Sequence, residues 1–380
     1  VIQTGELELD IPPHTGQDIR LPLELPAEQR PAEQWLDLSF RLKQALVWAE
    51  PGHEVAWAQF NIPPSRPVEK AAERTDGKSI ELESAAAEIR AKGKDLVWTF
   101  SRESGQLESL LFRNIQLIQR GPTVNLWRAP TANELDEWRN PPIAETWYRL
   151  GLDRLRRIHV SMNVERDAEN RPVILSSGLL KLPDGETIFE VETRYILYSD
   201  GTLRIETHLE PVAGLPDWMA GVTAWLPRIG HELEVAKSLR TFSWLGRGPF
   251  ENYPDRNSGA RVGTFSSEIT DLYEPYLIPQ EHGNRSEIRW ATLTDEQGIG
   301  LRVEGNELLN MSLHRYSQDH LARANYTFQL EDSDVNYWYI DHQVTGVGGT
   351  PVPTLEKYRT ENREYRWSYS IRPFEKPKNQ

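Results

Sequence analysis

The sequence predicts an all-β protein, and three observations carry that prediction. Apolar and polar residues alternate in short runs, as in GELELDI, where Leu7, Leu9 and Ile11 alternate with Glu6, Glu8 and Asp10. Pro and Gly are spread along the chain as turn residues rather than collected in one tail. The apolar complement is rich in rings, 13 Trp and 13 Tyr against 3 Met, which suits strands better than a helical bundle.

Taken in order, GELELDI and IRLPLEL read as the first two strands. WLDLSFRLKQ follows, with Trp35, Leu36, Leu38, Phe40 and Leu42 largely alternating, and then EVAWAQFNI, which places Val55, Trp57 and Gln59 on one face. Turns at HTG and PGH separate these runs. They form part of a small antiparallel sandwich, residues 1–62. The Pro-, Ala- and charge-rich stretch PPSRPVEKAAERTDGK reads as a surface linker, with VEKAAER as a short helical alternative; the linker proper is placed at 63–76.

Strand patterns return over residues 77–374. SIELES and AEIRAK lead into LVWTFSRESGQLESLLF, in which two apolar runs flank Ser104-Gly105 as in a hairpin. TIFEVETRYILYSDGTLRIETHLEP holds two long strands joined by Asp200-Gly201, the strongest hairpin signal in the chain. TWYRLGLDRLRR, residues 146–157, is the best helical segment, followed by IHVSMNVERD as a strand. YTFQLE, VNYWYIDHQ and EYRWSYSIRPF read as further strands. The pattern predicts a small sandwich followed by a large domain of two broad antiparallel sheets face to face.

A chain of 380 residues is long enough for two or three domains. Its formal net charge of -14 and the lack of a local basic patch argue against a nucleic-acid partner. With no cysteine, thiolate nucleophiles and thiolate metal sites are excluded. The sequence carries no apolar run of membrane-spanning length, so no membrane partner is expected. A soluble protein is expected, with the cytoplasm favoured over the periplasm.

The densest concentration of chemistry lies between Trp244 and Trp290, in WLGRGPFENYPDR and YEPYLIPQEHGNRSEIRW. Aromatics stack on sugar rings, while carboxylates, amides and guanidinium groups bond hydroxyls, so a carbohydrate surface is one reading. An irregular segment whose polar groups satisfy one another is the other. Glu251, Asp255 and Glu281 are its acids, and structural ion pairs with Arg247, Arg256 and Arg285 are the expected roles. In LWRAPTANELDEW, Arg128 and Asn133 stand near Glu134 and Asp136; Arg128 can grip a sugar or a buried acid. The nine histidines are scattered. His314 and His320 lack the spacing of a zinc helix, and no metal is assigned. Gly346, Gly348 and Gly349, ahead of Pro351 and Pro353, read as a tight loop able to border a cleft rather than a phosphate loop.

In this order, LWRAPTANELD, WLGRGPFENYPDR, YEPYLIPQEHGNR, LHRYSQDHL and HQVTGVGG resemble the C-terminal portion of the bacterial beta-galactosidases of glycoside hydrolase family 2. The resemblance covers nearly the whole chain. It implies that residues 1–62 are a truncated second immunoglobulin-like sandwich and residues 77–374 a small-chain domain, a β-supersandwich of the galactose mutarotase-like type. The catalytic glutamates, the magnesium site and a sodium site would then lie in a TIM barrel outside this sequence, with no cofactor in this chain.

The substrate-cleft candidates are Arg128, Asn133, Glu251, Asn252, Glu281, Asn284, Arg285 and Thr350, and no residue is assigned a catalytic role. The implied partners are the barrel-containing portion or large subunit, a homo-oligomer mate and a beta-galactoside or related sugar. The family's last domain stacks a tryptophan on the sugar just after the paired glycines, where this chain has Thr350, Pro351, Val352 and Pro353. The opening strand pattern implies either a piece of a longer enzyme or a chain completed by a partner. A non-catalytic part of a beta-galactosidase is the leading expectation. An autonomous carbohydrate-binding module and an aldose mutarotase are the alternatives.

Overall fold

The computed structural model describes residues 1–24, 33–63, 80–136, 142–212, 225–348 and 354–377. The chain divides into two compact units, Val1–Glu73 and Arg74–Gln380. In the first, strands β1 (Gln34–Arg41) and β2 (Glu54–Ile62) pair antiparallel, Leu38 opposite Ala58. Phe40, Val55 and Phe60 on this ribbon are exposed. GELELDI and the described part of IRLPLEL are not strands, contrary to the sequence expectation. Alternation marks a segment able to lie on a sheet, but a strand also needs a neighbour for its backbone groups, and among the described residues none pairs with these. The linker at 63–76, with its helical alternative, falls almost entirely outside the described residues.

The second unit is nearly all strand. Its first half carries β3 (Glu81–Ser84), β4 (Glu88–Gly93), β5 (Leu96–Ser101), β6 (Gln106–Phe112), β7 (Ile115–Asn125), β8 (Arg156–Arg166), β9 (Pro172–Lys181), β10 (Thr187–Leu197) and β11 (Leu203–Pro211). Then come β12 (Arg228–Ala236), β13 (Thr241–Gly248), β14 (Arg261–Glu268), β15 (Arg285–Thr294), β16 (Ile299–His314), β17 (Val335–Val344) and β18 (Tyr365–Glu375). One continuous antiparallel sheet runs β3-β4-β5-β6-β7-β12-β17-β16-β18-β11-β10-β9-β8, with β13, β14 and β15 attached through β16.

β16 is the hinge of this topology. Its first half pairs with β18, its last five residues pair with β17, and β15 runs along both parts. Bulges in the β15 pairing at Arg285/Ile288 and Ile288/Trp290 let one strand serve these directions. The concave interior is filled from nearly every strand, with Trp98, Trp147, Trp225, Trp244 and Trp338 fully buried. Alternation on β11 shows the economy of the design: Leu203, Ile205, Thr207 and Leu209 point inward, while Arg204, Glu206, His208 and Glu210 face outward.

The Asp200-Gly201 hairpin forms as expected, Asp200 accepting from the Thr202 amide at 2.9 Å and Gly201 taking φ +89°. The helix differs. It spans Ile143–Leu150 and stops at Gly151, whose φ of +77° terminates it, and a single 3-10 turn then leads into β8. YTFQLE is not a strand. Gln329 accepts from the Asn325 and Tyr326 amides and winds Thr327–Gln329 into a 3-10 turn, an instance of side-chain bonds outcompeting a ladder. The stretch read as irregular between Trp244 and Trp290 is in fact strand at both ends, on β13 and β15.

Candidate functional site

The turn between β13 and β14 is where the motif residues converge. ENYPDR closes on itself through paired backbone bonds between Tyr253 and Arg256, so that consecutive side chains leave in different directions. Each then ties down another segment. Glu251 accepts from the Gly283 amide at 2.8 Å and also bonds Arg256 and Tyr276. Asn252 exchanges backbone and side-chain bonds with Asn284 and takes the Ser286 amide at 2.9 Å. Tyr253 donates to Glu281 at 3.3 Å. Asp255 receives the amides of Val347 and Gly348 at 3.1 and 2.8 Å, fixing the start of the glycine loop.

The expected ion pairs are therefore only partly right. Glu251 pairs with Arg256 as expected. Asp255 is instead a loop anchor, Arg247 pairs with Glu287 at 2.5 Å, and Glu281 pairs with Arg228 at 3.2 Å. Arg285 spends one donor on the Gly283 carbonyl and lies over the Trp244 ring. Sequence distance misled here, because the turn sends neighbouring side chains apart and β12 brings Arg228 in from elsewhere.

Beneath the turn lies a buried ionic layer. Arg128 makes a fork with Glu134, at 2.8 and 2.7 Å, and Glu134 reaches back to the Thr131 amide to start a one-turn helix, α1 (Ala132–Leu135). Asn133 is half-buried on that turn. Burial works to lower the Arg128 pKa, but Glu134, through charge and hydrogen bonds, drives it above the ordinary value. Arg228 lies between Glu281 and Asp341, its Nη1 3.7 Å from the Asp341 carboxylate. Neither Asp341 oxygen has a hydrogen-bond partner among the described residues, and burial pushes that carboxyl up to about 7.

Two buried imidazoles stand beside this layer. His314 is held well below its ordinary pKa, by burial first and then by His282 and Arg228. His282 is lowered by burial as well, and its ring meets that of His314 edge-on at 4.7 Å.

Of the eight cleft candidates, Arg128, Glu251, Asn252, Glu281, Asn284 and Arg285 come together, all of them buried. Thr350, Gly349 and the departure from the family's tryptophan lie outside the described residues. Arg228, Asp341 and Tyr253 were missed. The first two look like ordinary strand residues in sequence, and nothing short of the β12–β17 register reveals that they meet.

The fold and the site together define a large curled antiparallel β-domain locked at one end by a buried ionic keystone. A profile described as "Beta galactosidase small chain" matches residues 92–371, and one described as "Beta-galactosidase, domain 4" matches residues 1–63. The chain belongs to the beta-galactosidase small-chain family and corresponds to the C-terminal portion of a beta-galactosidase.

Among curated relatives, the beta-galactosidase of Priestia megaterium is 28% identical over 373 residues, covering 96% of this chain and 34% of its own length. That of Pseudoalteromonas haloplanktis is 27% identical over 381 residues, covering 97% and 35%. The chain thus spans about a third of the length of the relatives it matches. Similar solved structures include galactose 1-epimerase from Lactobacillus acidophilus, with TM-score 0.40 and 11% identity over 80% of this chain and 97% of that one. A putative aldose 1-epimerase from Escherichia coli K12 gives TM-score 0.39 and 10% identity over 76% and 99%. Among the described residues, no helix is long and apolar enough to cross a membrane.

Proposed function

We propose that this chain is the non-catalytic scaffold of a glycoside hydrolase family 2 beta-galactosidase. It supports the cleft and the assembly while a TIM barrel, outside these 380 residues, performs retaining hydrolysis of terminal beta-galactosides. One observation carries the reading: the acids of the motif cluster are already committed to the protein. Both oxygens of Glu251 accept bonds, Glu281 is 2% exposed and holds Arg228 and Tyr253 on one oxygen, Oε1, and Glu134 is forked by Arg128. A glycosidase needs two carboxyl groups facing each other across an open cleft, about 5–5.5 Å apart for retention and about 6.5–9.5 Å apart for inversion. Side chains locked in this way hold a shape instead.

The same commitment makes the cluster a poor home for the magnesium and sodium that the resemblance implies. A magnesium ion demands near-octahedral oxygen ligands, whereas these carboxylates are each neutralised by a guanidinium. Both ions belong to the barrel portion in this reading. On the second unit, the exposed Phe250, Leu277 and Ile278 near the keystone support a surface made to be covered by that portion or by another subunit.

Turnover of a chromogenic beta-galactoside tests the proposal. The purified chain alone should be inactive, and activity should appear when a fragment carrying the remaining two thirds of the parent is added. Robust turnover by the chain alone, with contaminating enzyme excluded, overturns it.

A further inference from the structure

The outward face of the large sheet carries a second constellation, remote in sequence from the keystone motifs. His208 stands on β11, opposite Glu192 on β10 and Arg366 on β18. Glu210 follows two residues later on the same face, and Glu364 enters from the residue preceding β18. The His208 Nε2 atom lies 3.1 Å from a Glu210 oxygen and 2.9 Å from a Glu364 oxygen. The three ligand atoms all fall within 4.8 Å of one another.

We propose that His208, Glu210 and Glu364 form a binding site for a divalent transition-metal ion of the zinc class, with water completing the coordination. Four features of the geometry point there. First, ligands bound at about 2.0–2.2 Å around a tetrahedral ion stand roughly 3.3 Å apart, so the two separations from His208 need only open by a few tenths of an ångström to admit one. Second, the donor set is one imidazole nitrogen and two carboxylate oxygens, a combination that suits zinc, cobalt and manganese better than a hard ion such as magnesium.

Third, the other ring nitrogen, Nδ1, faces Glu192 at 3.8 Å. Nε2 is thus the ring nitrogen turned toward the two carboxylates. Fourth, Arg366 donates at 2.7 Å to Oε1 of Glu364, the oxygen that also faces His208, and so fixes the position of that carboxylate. A cavity of about 320 Å³ lined by Glu192, His208, Arg366 and Trp367 opens beside the group and leaves room for the water ligands.

Binding needs no redox partner: the imidazole and two carboxylates exchange water and mutual hydrogen bonds for metal bonds, and any proton on Nε2 goes to solvent. The bound ion would extend the β11–β18 pairing by one more cross-link, joining Glu364 to β11 just past the last paired residues, Leu209 and Tyr365. The site is independent of the keystone and of the role proposed above.

Tag-free protein stripped with chelator and titrated with Co²⁺, followed by its visible absorption, and with Zn²⁺ by calorimetry, tests this. The expected result is one ion per chain, with affinity falling at least tenfold in His208→Gln, Glu210→Gln and Glu364→Gln, and melting temperature rising with added Zn²⁺ in the parent protein only. The carboxylate variants alter exposed side chains, so equal melting in chelator certifies that the fold is kept. Absence of saturable binding at one ion per chain, or unchanged affinity in these variants, overturns the proposal.

Discussion

Replacing Asp341 by Asn should make the protein more stable relative to the parent as pH rises, a reversal of what is expected for a carboxylate facing an arginine. Asp341 sits on β17 between Gly230 on β12 and Asn310 on β16, so closely that a Cβ on Gly230 would lie 2.2 Å from its Oδ1. Arg228 stands at 3.7 Å, close enough to attract and too far to hydrogen-bond. Desolvation therefore outweighs the pairing, and the carboxyl moves from an ordinary 3.8 to about 7.

The sign follows from proton counting. Between those two values the folded protein holds a proton that the unfolded chain has released, so stability falls as pH rises through the window. At ~1.36 kcal/mol per decade the whole displacement is worth about 4 kcal/mol, of which ~3 kcal/mol is lost between pH 5 and pH 9. His231 and His314, held neutral by burial, act in the opposite direction on the acid side, but equally in both proteins, so the difference between variants isolates Asp341. Urea unfolding of the two proteins at pH 5, 7 and 9, read by the fluorescence of the buried tryptophans, supplies the measurement. If the stability difference is the same at pH 5 as at pH 9, Asp341 titrates like a solvated carboxyl and the argument fails.

Arg128→Met should destabilise the second unit by about 3–5 kcal/mol, because it strands the buried Glu134 carboxylate while preserving most of the volume; denaturant midpoints check it. Asp255→Ala frees the Val347 and Gly348 amides, and a loss of roughly 1–3 kcal/mol should appear together with faster amide exchange at those two positions. Exchange unchanged at Val347 and Gly348 would show that the loop is fixed by other contacts, such as the Thr354 hydroxyl on the Gly346 carbonyl.

What could be read in the sequence was set by the range of the interactions involved. The hairpins at Gly105 and Asp200-Gly201 were legible because their determinants are adjacent in the chain: a residue able to take positive φ between two alternating runs. Likewise Arg128 and Glu134 could be paired from sequence, since six residues and one helical turn join them. GELELDI shows the limit of the method, because alternation says nothing about whether a neighbour exists to complete the ladder. YTFQLE failed for the opposite reason, a local side-chain bond from Gln329 that no periodicity scan registers.

The site was hardest to read where its chemistry depends on register. Arg228 reaches Glu281 from β12, and Asp341 reaches Arg228 across the β12–β17 pairing at a bulge that skips one residue. A shift of that pairing by one residue would turn Asp341 to the other face and leave Arg228 without its second carboxylate. The bulge at Ile229/Gly230 is thus what assembles the ionic layer, and Gly230 is what allows the strands to approach around Asp341. The motifs that carry the family resemblance hold the turn above this layer, but the charges that balance it come from strands whose sequences look unremarkable. That division explains why proximity in sequence gave Glu281 and Asp255 the wrong partners: a motif records which residues must be present, and the sheet register decides which of them meet.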